Sequence, residues 1–73
     1  MSVKEKLEAL EEMMDLEEDT ITLEMNLEDI EEWDSMSKLY LMAYVKKEFG
    51  QKLTVEEMRQ FQTIEDICNY MGN

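Results

Sequence analysis

In 73 residues the chain has no histidine, no proline, one cysteine, one tryptophan and two glycines. The missing histidine removes the side chain most often used as a general base near neutral pH, and the commonest metal ligand. A single cysteine cannot close an internal disulfide, so the usual staple of small secreted domains is absent. With no second cysteine and no histidine, Cys68 also lacks partners for a metal site or a nucleophile–base pair, and it reads as a packing residue. No apolar run is long enough to span a bilayer. The opening MSVKEKLEALEE is too charged for a secretory signal. A chain this short buries only about 60% of the surface it exposes when unfolded, which leaves no room for a second domain or a deep cleft. These absences point to one soluble, cytoplasmic domain over residues 1–73 that is not itself an enzyme.

What is abundant is acid. The net charge is −12, and its distribution is lopsided: residues 1–35 hold fourteen acids and two lysines, whereas residues 36–73 hold five acids and five bases. A field of this sign repels nucleic acid and anionic membranes and steers the chain toward basic partners. It does not signal disorder, because 44% of the residues are apolar and they recur periodically.

The periodicity predicts four helices. Ser2 and Glu5 form a reciprocal capping pair, and Val3, Leu7, Leu10 and Met14 then make an apolar stripe, with Lys4, Glu5, Glu8, Glu11 and Glu12 outside it; helix one is expected over residues 3–14. In residues 15–34, Ile21, Leu23 and Met25 alternate with polar residues, but no second strand exists to pair with them. A long ordered loop is the better reading, its apolar residues pinned to the helices and Leu27 and Ile30 in a short turn; such loops usually serve a function. Asp34 is a good N-cap for a second helix over residues 35–48, whose apolar positions are Met36, Leu39, Tyr40, Ala43 and Phe49 and whose stop is Gly50. Thr54 with Glu57, and Thr63 with Asp66, repeat the capping pattern and open helices near 55–61 and 64–71. Val55, Met58 and Phe61, then Ile64, Ile67, Cys68 and Met71, form their inward faces, and Met25, Met36, Met42, Met58 and Met71 fall at core or near-core positions. The expected fold is all-α, a four-helix bundle with a long first loop and a short third helix.

Ser35 is the residue that could carry chemistry. Just after an N-cap, its hydroxyl stands at the open end of a helix, where unpaired N–H groups and the helix dipole favour an anion. Asp34 beside it could help hold a divalent cation during a phosphoryl transfer performed by another enzyme. Capping alone would also explain both residues, and spacing does not choose between the two readings.

The wider pattern does. WDSMSKLYLMAYVKKEFG, followed by LTVEEM and TIEDICNYM, resembles the acyl carrier protein family. The landmarks are Asp34-Ser35-Met36 at the start of the second helix, Glu48-Phe49-Gly50 at its end, and Thr63-Ile64-Glu65-Asp66-Ile67 opening the last. The resemblance covers nearly the whole chain. It implies that a phosphopantetheinyl transferase attaches 4′-phosphopantetheine covalently to Ser35, with Asp34 assisting at the metal site of that transfer. Cargo is then carried as a thioester and presented to acyl-loading and acyl-processing enzymes, with Met36 touching the partner. Trp33, Met36, Lys38 and Tyr40 are the expected partner-binding residues, and Trp33 either packs on the bundle or sits beside the arm. No catalytic residue, resident metal, nucleic acid or membrane span is expected, and the chain is expected to be a monomer.

Two departures refine the reading. Glu32 and Trp33 stand where the family often has a glycine. In fatty-acid carriers the second helix is typically acidic, whereas here it offers Lys38, Tyr40, Lys46 and Lys47 with only Glu48 acidic. Glu28, Asp29, Glu31, Glu32 and Asp34 of the preceding loop could supply a displaced acidic docking site. A specialised carrier in a dedicated pathway is favoured over housekeeping fatty-acid synthesis. Aminoacyl or peptidyl cargo and an unmodified helical adaptor remain the alternatives. A calcium loop starting at Asp15 does not fit, with Thr20 where glycine is needed and Asn26 where a bidentate glutamate is needed.

Overall fold

The computed structural model of the chain describes residues 1–72 and places four helices in it: α1 (Val3–Met13), α2 (Ser35–Phe49), α3 (Val55–Gln60) and α4 (Ile64–Tyr70), with a single 3-10 turn at Leu27–Asp29. The architecture is the expected all-helical bundle, and no strand occurs among the described residues beyond one isolated bridge between Asn26 and Thr63. No helix among them is long and apolar enough to cross a membrane.

Each helix starts where its local chemistry directs. Ser2 Oγ accepts from the Glu5 N–H (3.1 Å) while Glu5 Oε1 accepts from the Ser2 N–H (3.0 Å), and Thr54 with Glu57 and Thr63 with Asp66 close the same reciprocal boxes. Such caps satisfy N–H groups that the helix leaves orphaned, each worth about 1 kcal/mol. α1 ends in a Schellman arrangement: Leu16 N–H reaches the Glu11 carbonyl (2.8 Å), Asp15 N–H reaches that of Glu12 (3.1 Å), and Asp15 takes the left-handed conformation (φ 57°) that aspartate tolerates. Gly50 ends α2 at φ 65°.

The core is built from Leu10, Met14, Ile21, Leu27, Leu41, Val45, Leu53, Met58, Ile64, Ile67, Cys68 and Met71. Burying each of the larger side chains contributes about 1.5–3 kcal/mol, so a dozen hold a chain this small together. The loop between α1 and α2 is stitched to the start of α4 by backbone bonds: Leu27 N–H to Gln62 O (2.8 Å), Ile64 N–H to Met25 O (3.0 Å) and Glu65 N–H to Leu23 O (3.1 Å). The alternation at Ile21, Leu23 and Met25 thus comes from an extended segment paired with a helix entrance.

The structure corrects the expected faces in three places. On α2, Met36, Leu39, Tyr40 and Ala43 point to solvent (Met36 62% and Leu39 64% exposed), and the buried line is Ser37, Leu41 and Val45, with Met42, Tyr44 and Phe49 half-buried. The helix is apolar nearly all round, so its pattern does not select a face. Packing does: Leu41 and Val45 are fully buried in the core, and the side carrying Leu39, Ala43, Lys46 and Lys47 is left in solvent. Val3, Met25 and Val55 are likewise exposed. Glu11, expected outside the stripe, is 3% exposed. Its Oε2 accepts the N–H groups of Thr20 (2.8 Å) and Ile21 (3.2 Å), tying the loop to α1.

Candidate functional site

The site forms where the long loop delivers the chain into α2. Trp33 N–H bonds the Ile30 carbonyl (3.1 Å), closing the last turn before the helix. Asp34 then caps α2: its Oδ1 accepts the Ser37 N–H (3.0 Å), and that bond holds the Asp34 carboxyl below the usual carboxylate range. Ser37, one turn in, is buried but satisfied, since its Oγ donates to the Glu32 carbonyl (2.6 Å). Asp34 and Ser37 therefore lock the loop to the helix from both sides. Ser37 was missed by the sequence reading, although its position three residues after the N-cap marked it as a partner for that cap.

Between these two fixed points, Ser35 is the first residue of α2 and is exposed. The first turn of α2 contains no acid, whereas α1, α3 and α4 begin with Glu5, with Glu56 and Glu57, and with Glu65 and Asp66. In those helices carboxylates stand within the first turn; at α2 the only carboxylate at the positive end of the dipole is that of the N-cap Asp34, and the first turn itself carries none. A phosphodiester on the Ser35 hydroxyl would occupy it, with no side chain to displace. The residues present therefore fit a phosphate-linked group at Ser35. Asp34 beside it is exposed and ionised.

The four expected partner residues divide into two pairs. Met36 and Tyr40, one turn apart, are exposed on the outer face of α2, on the Ser35 side. Trp33 and Lys38 sit together elsewhere: Trp33 packs against the core, and Lys38 Nζ lies 5.9 Å from its ring centroid, in the range of a cation–π contact. Of the two readings for Trp33, packing on the bundle is the one observed. Lys38 also lines a shallow groove of about 200 Å³ with Val55, Met58 and Arg59, between α2 and α3.

The sequence model describing the phosphopantetheine attachment site matches residues 7–71, from the middle of α1 through the end of α4. No solved structure matches the chain significantly.

Proposed function

The chain belongs to the phosphopantetheine attachment site family, whose members carry a covalent 4′-phosphopantetheine, and on that premise we propose that Ser35 is the attachment point of an acyl carrier. Domains of this family are carriers on which partner enzymes act. The observation that carries the assignment to Ser35 is its placement: an exposed hydroxyl at the first position of the longest helix, whose first turn alone lacks an acid.

The chain's own residues do three things. Asp34 and Ser37 fix the backbone on either side of Ser35, so the nucleophilic hydroxyl is presented at a set angle. During transfer the Ser35 Oγ forms the new bond to phosphorus, its proton passes to a base of the transferase, and the nucleotide half of coenzyme A departs. The open N-terminus of α2 then stabilises the phosphodiester's negative charge. Once attached, the arm supplies a terminal thiol on which cargo rides as a thioester.

Acyl cargo is favoured over aminoacyl or peptidyl cargo by a groove of about 450 Å³ along the loop, where Leu16, Ile21, Met25 and Ile30 form an apolar floor among Thr20, Asn26 and the carboxylates of Glu24, Asp29 and Glu32. An alkyl chain gains from such apolar lining, and a short polar aminoacyl group does not. The basic outer face of α2 favours a specialised pathway over housekeeping fatty-acid synthesis, and the pathway is proposed to be cytoplasmic. The whole chain is proposed to act as one carrier domain.

Intact mass before and after incubation with coenzyme A, Mg²⁺ and a promiscuous phosphopantetheinyl transferase tests the assignment. A gain of one phosphopantetheine, mapped to Ser35 and abolished in Ser35→Ala, is the expected result. A chain left unmodified by several such transferases would overturn it in favour of an unmodified adaptor.

A further inference from the structure

Around the circumference of α2, the exposed side carries Ser35, Met36, Leu39, Tyr40, Ala43, Lys46 and Lys47. The one acid of the helix, Glu48, lies roughly half a turn away from the Leu39–Ala43 line. The face is therefore apolar near Ser35 and cationic at its far end, with Lys46 about 16 Å from Ser35 along the axis at 1.5 Å per residue. Lys52 continues the cationic end: with Lys46 it lines a groove of about 380 Å³ whose apolar lining is Leu39, Met42, Ala43 and Leu53. Lysines in the last turn also suit the helix dipole, but that does not account for the exposed methionine, leucine and tyrosine beside them. A contiguous exposed apolar strip marks a contact surface, and Tyr and Met are enriched in such surfaces.

The sign of its rim identifies the occupant. Resting on the carrier reading, we infer that the enzymes reaching the Ser35 arm dock on this face through an apolar ridge flanked by carboxylates, set opposite Lys46, Lys47 and Lys52. The rest of the molecule has the opposite polarity, with its whole −12 excess in residues 1–35. At physiological salt, charges are screened beyond about 8 Å. The molecule spans 27 × 24 × 19 Å, so a partner seated at the far end of α2 responds to that end and not to the net charge. A nucleic acid or an anionic bilayer, extended beyond the cationic patch, meets the acidic half as well and is repelled. A compact acidic protein surface is not.

The test uses two synthetic amphipathic helical peptides with identical apolar residues, one flanked by glutamates and one by lysines. Each is titrated into the ¹⁵N-labelled full chain after treatment with coenzyme A and transferase. The acidic peptide is expected to shift amides of residues 36–47, to weaken with added salt, and to lose about tenfold in affinity to Lys46→Glu/Lys47→Glu. Leu39→Asn should weaken binding without changing its salt dependence, and all the substituted residues are exposed, so unchanged circular dichroism confirms that these variants fold. The inference is overturned if the lysine peptide binds this face as well as the acidic one, or if neither binds. It is equally overturned if the face is covered by a second copy of the chain, seen as a dimer in sedimentation, or by anionic phosphatidylglycerol vesicles. Failure of the carrier reading is read separately, as a chain that gains no mass in the transferase step.

Discussion

Replacing Glu11 probes the device that holds the long loop on the bundle. The carboxylate is 3% exposed and accepts two backbone N–H groups, from Thr20 at 2.8 Å and from Ile21 at 3.2 Å. Hydrogen bonds to a charged group contribute about 1.5–3 kcal/mol net, and a buried amide left without an acceptor costs about 1–3 kcal/mol. Thr20 is exposed, so its amide can turn to water; Ile21 is buried, so its amide cannot. Glu11→Ala is therefore expected to cost about 3 kcal/mol. In a domain of this size that lowers Tm by about 12–24 °C, at 4–8 °C per kcal/mol. Glu11→Gln keeps an acceptor oxygen in the same place but gives up charge assistance, and about 1 kcal/mol is expected. Removing one acid from a chain of net charge −12 would by itself relieve repulsion and stabilise, so the expected sign is opposite to that of a surface acid. The assays are thermal melts by circular dichroism and hydrogen exchange at the Thr20 and Ile21 amides, which should accelerate most in Glu11→Ala. If Glu11→Ala melted within about 0.5 kcal/mol of the parent chain, as surface substitutions do, the strap would carry no weight.

A second prediction concerns the face of α2: Leu41→Ala should cost about 2–5 kcal/mol because Leu41 is fully buried, whereas Leu39→Ala should stay within about 0.5 kcal/mol. Equal losses in denaturant titrations would mean that the helix is turned differently. At the cap, Asp34→Ala should cost about 1 kcal/mol through loss of the bond to Ser37, while Ser35→Ala leaves helicity and stability unchanged. A collapse of Ser35→Ala in the same melts would make Ser35 a structural residue. The pH dependence follows from Asp66, whose carboxyl is held below its ordinary value by accepting the backbone N–H groups of Gln62 and Thr63. Its folded value lies below its unfolded one, so the stability it adds is present above about pH 4 and is lost as pH falls through the folded value. Melts of the parent chain and Asp66→Asn should differ at pH 7 and converge in acid; a gap that widened on acidification would contradict the assignment.

Legibility in the sequence tracked the range of the interaction. The starts of α1, α3 and α4 were read to the residue, because each depends on a capping residue and a carboxyl three positions later. Helix ends differed by one residue: α1 stops at Met13 with Met14 as cap, and α2 runs on to Phe49. Ser35 stood out through a family resemblance carried by Asp34-Ser35-Met36, Glu48-Phe49-Gly50 and Thr63-Ile64-Glu65-Asp66-Ile67, since capping alone explained the residue as well. Its exposure became visible only in three dimensions. Ser37, two residues on, was overlooked because its role depends on the Glu32 carbonyl that the loop brings back to it.

The sequence by itself determined that four helices form, where each begins, and that the segment from 15 to 34 is a loop. All of these rest on contacts within a few positions along the chain. Only the tertiary structure decided which side of α2 is buried, that Glu11 turns inward to hold Thr20 and Ile21, and that residues 23–27 pair with the entrance to α4. A helix apolar all round has no preferred face until neighbours cover one. A carboxylate is worth burying only where distant N–H groups converge on it, and that convergence is a property of the assembled fold.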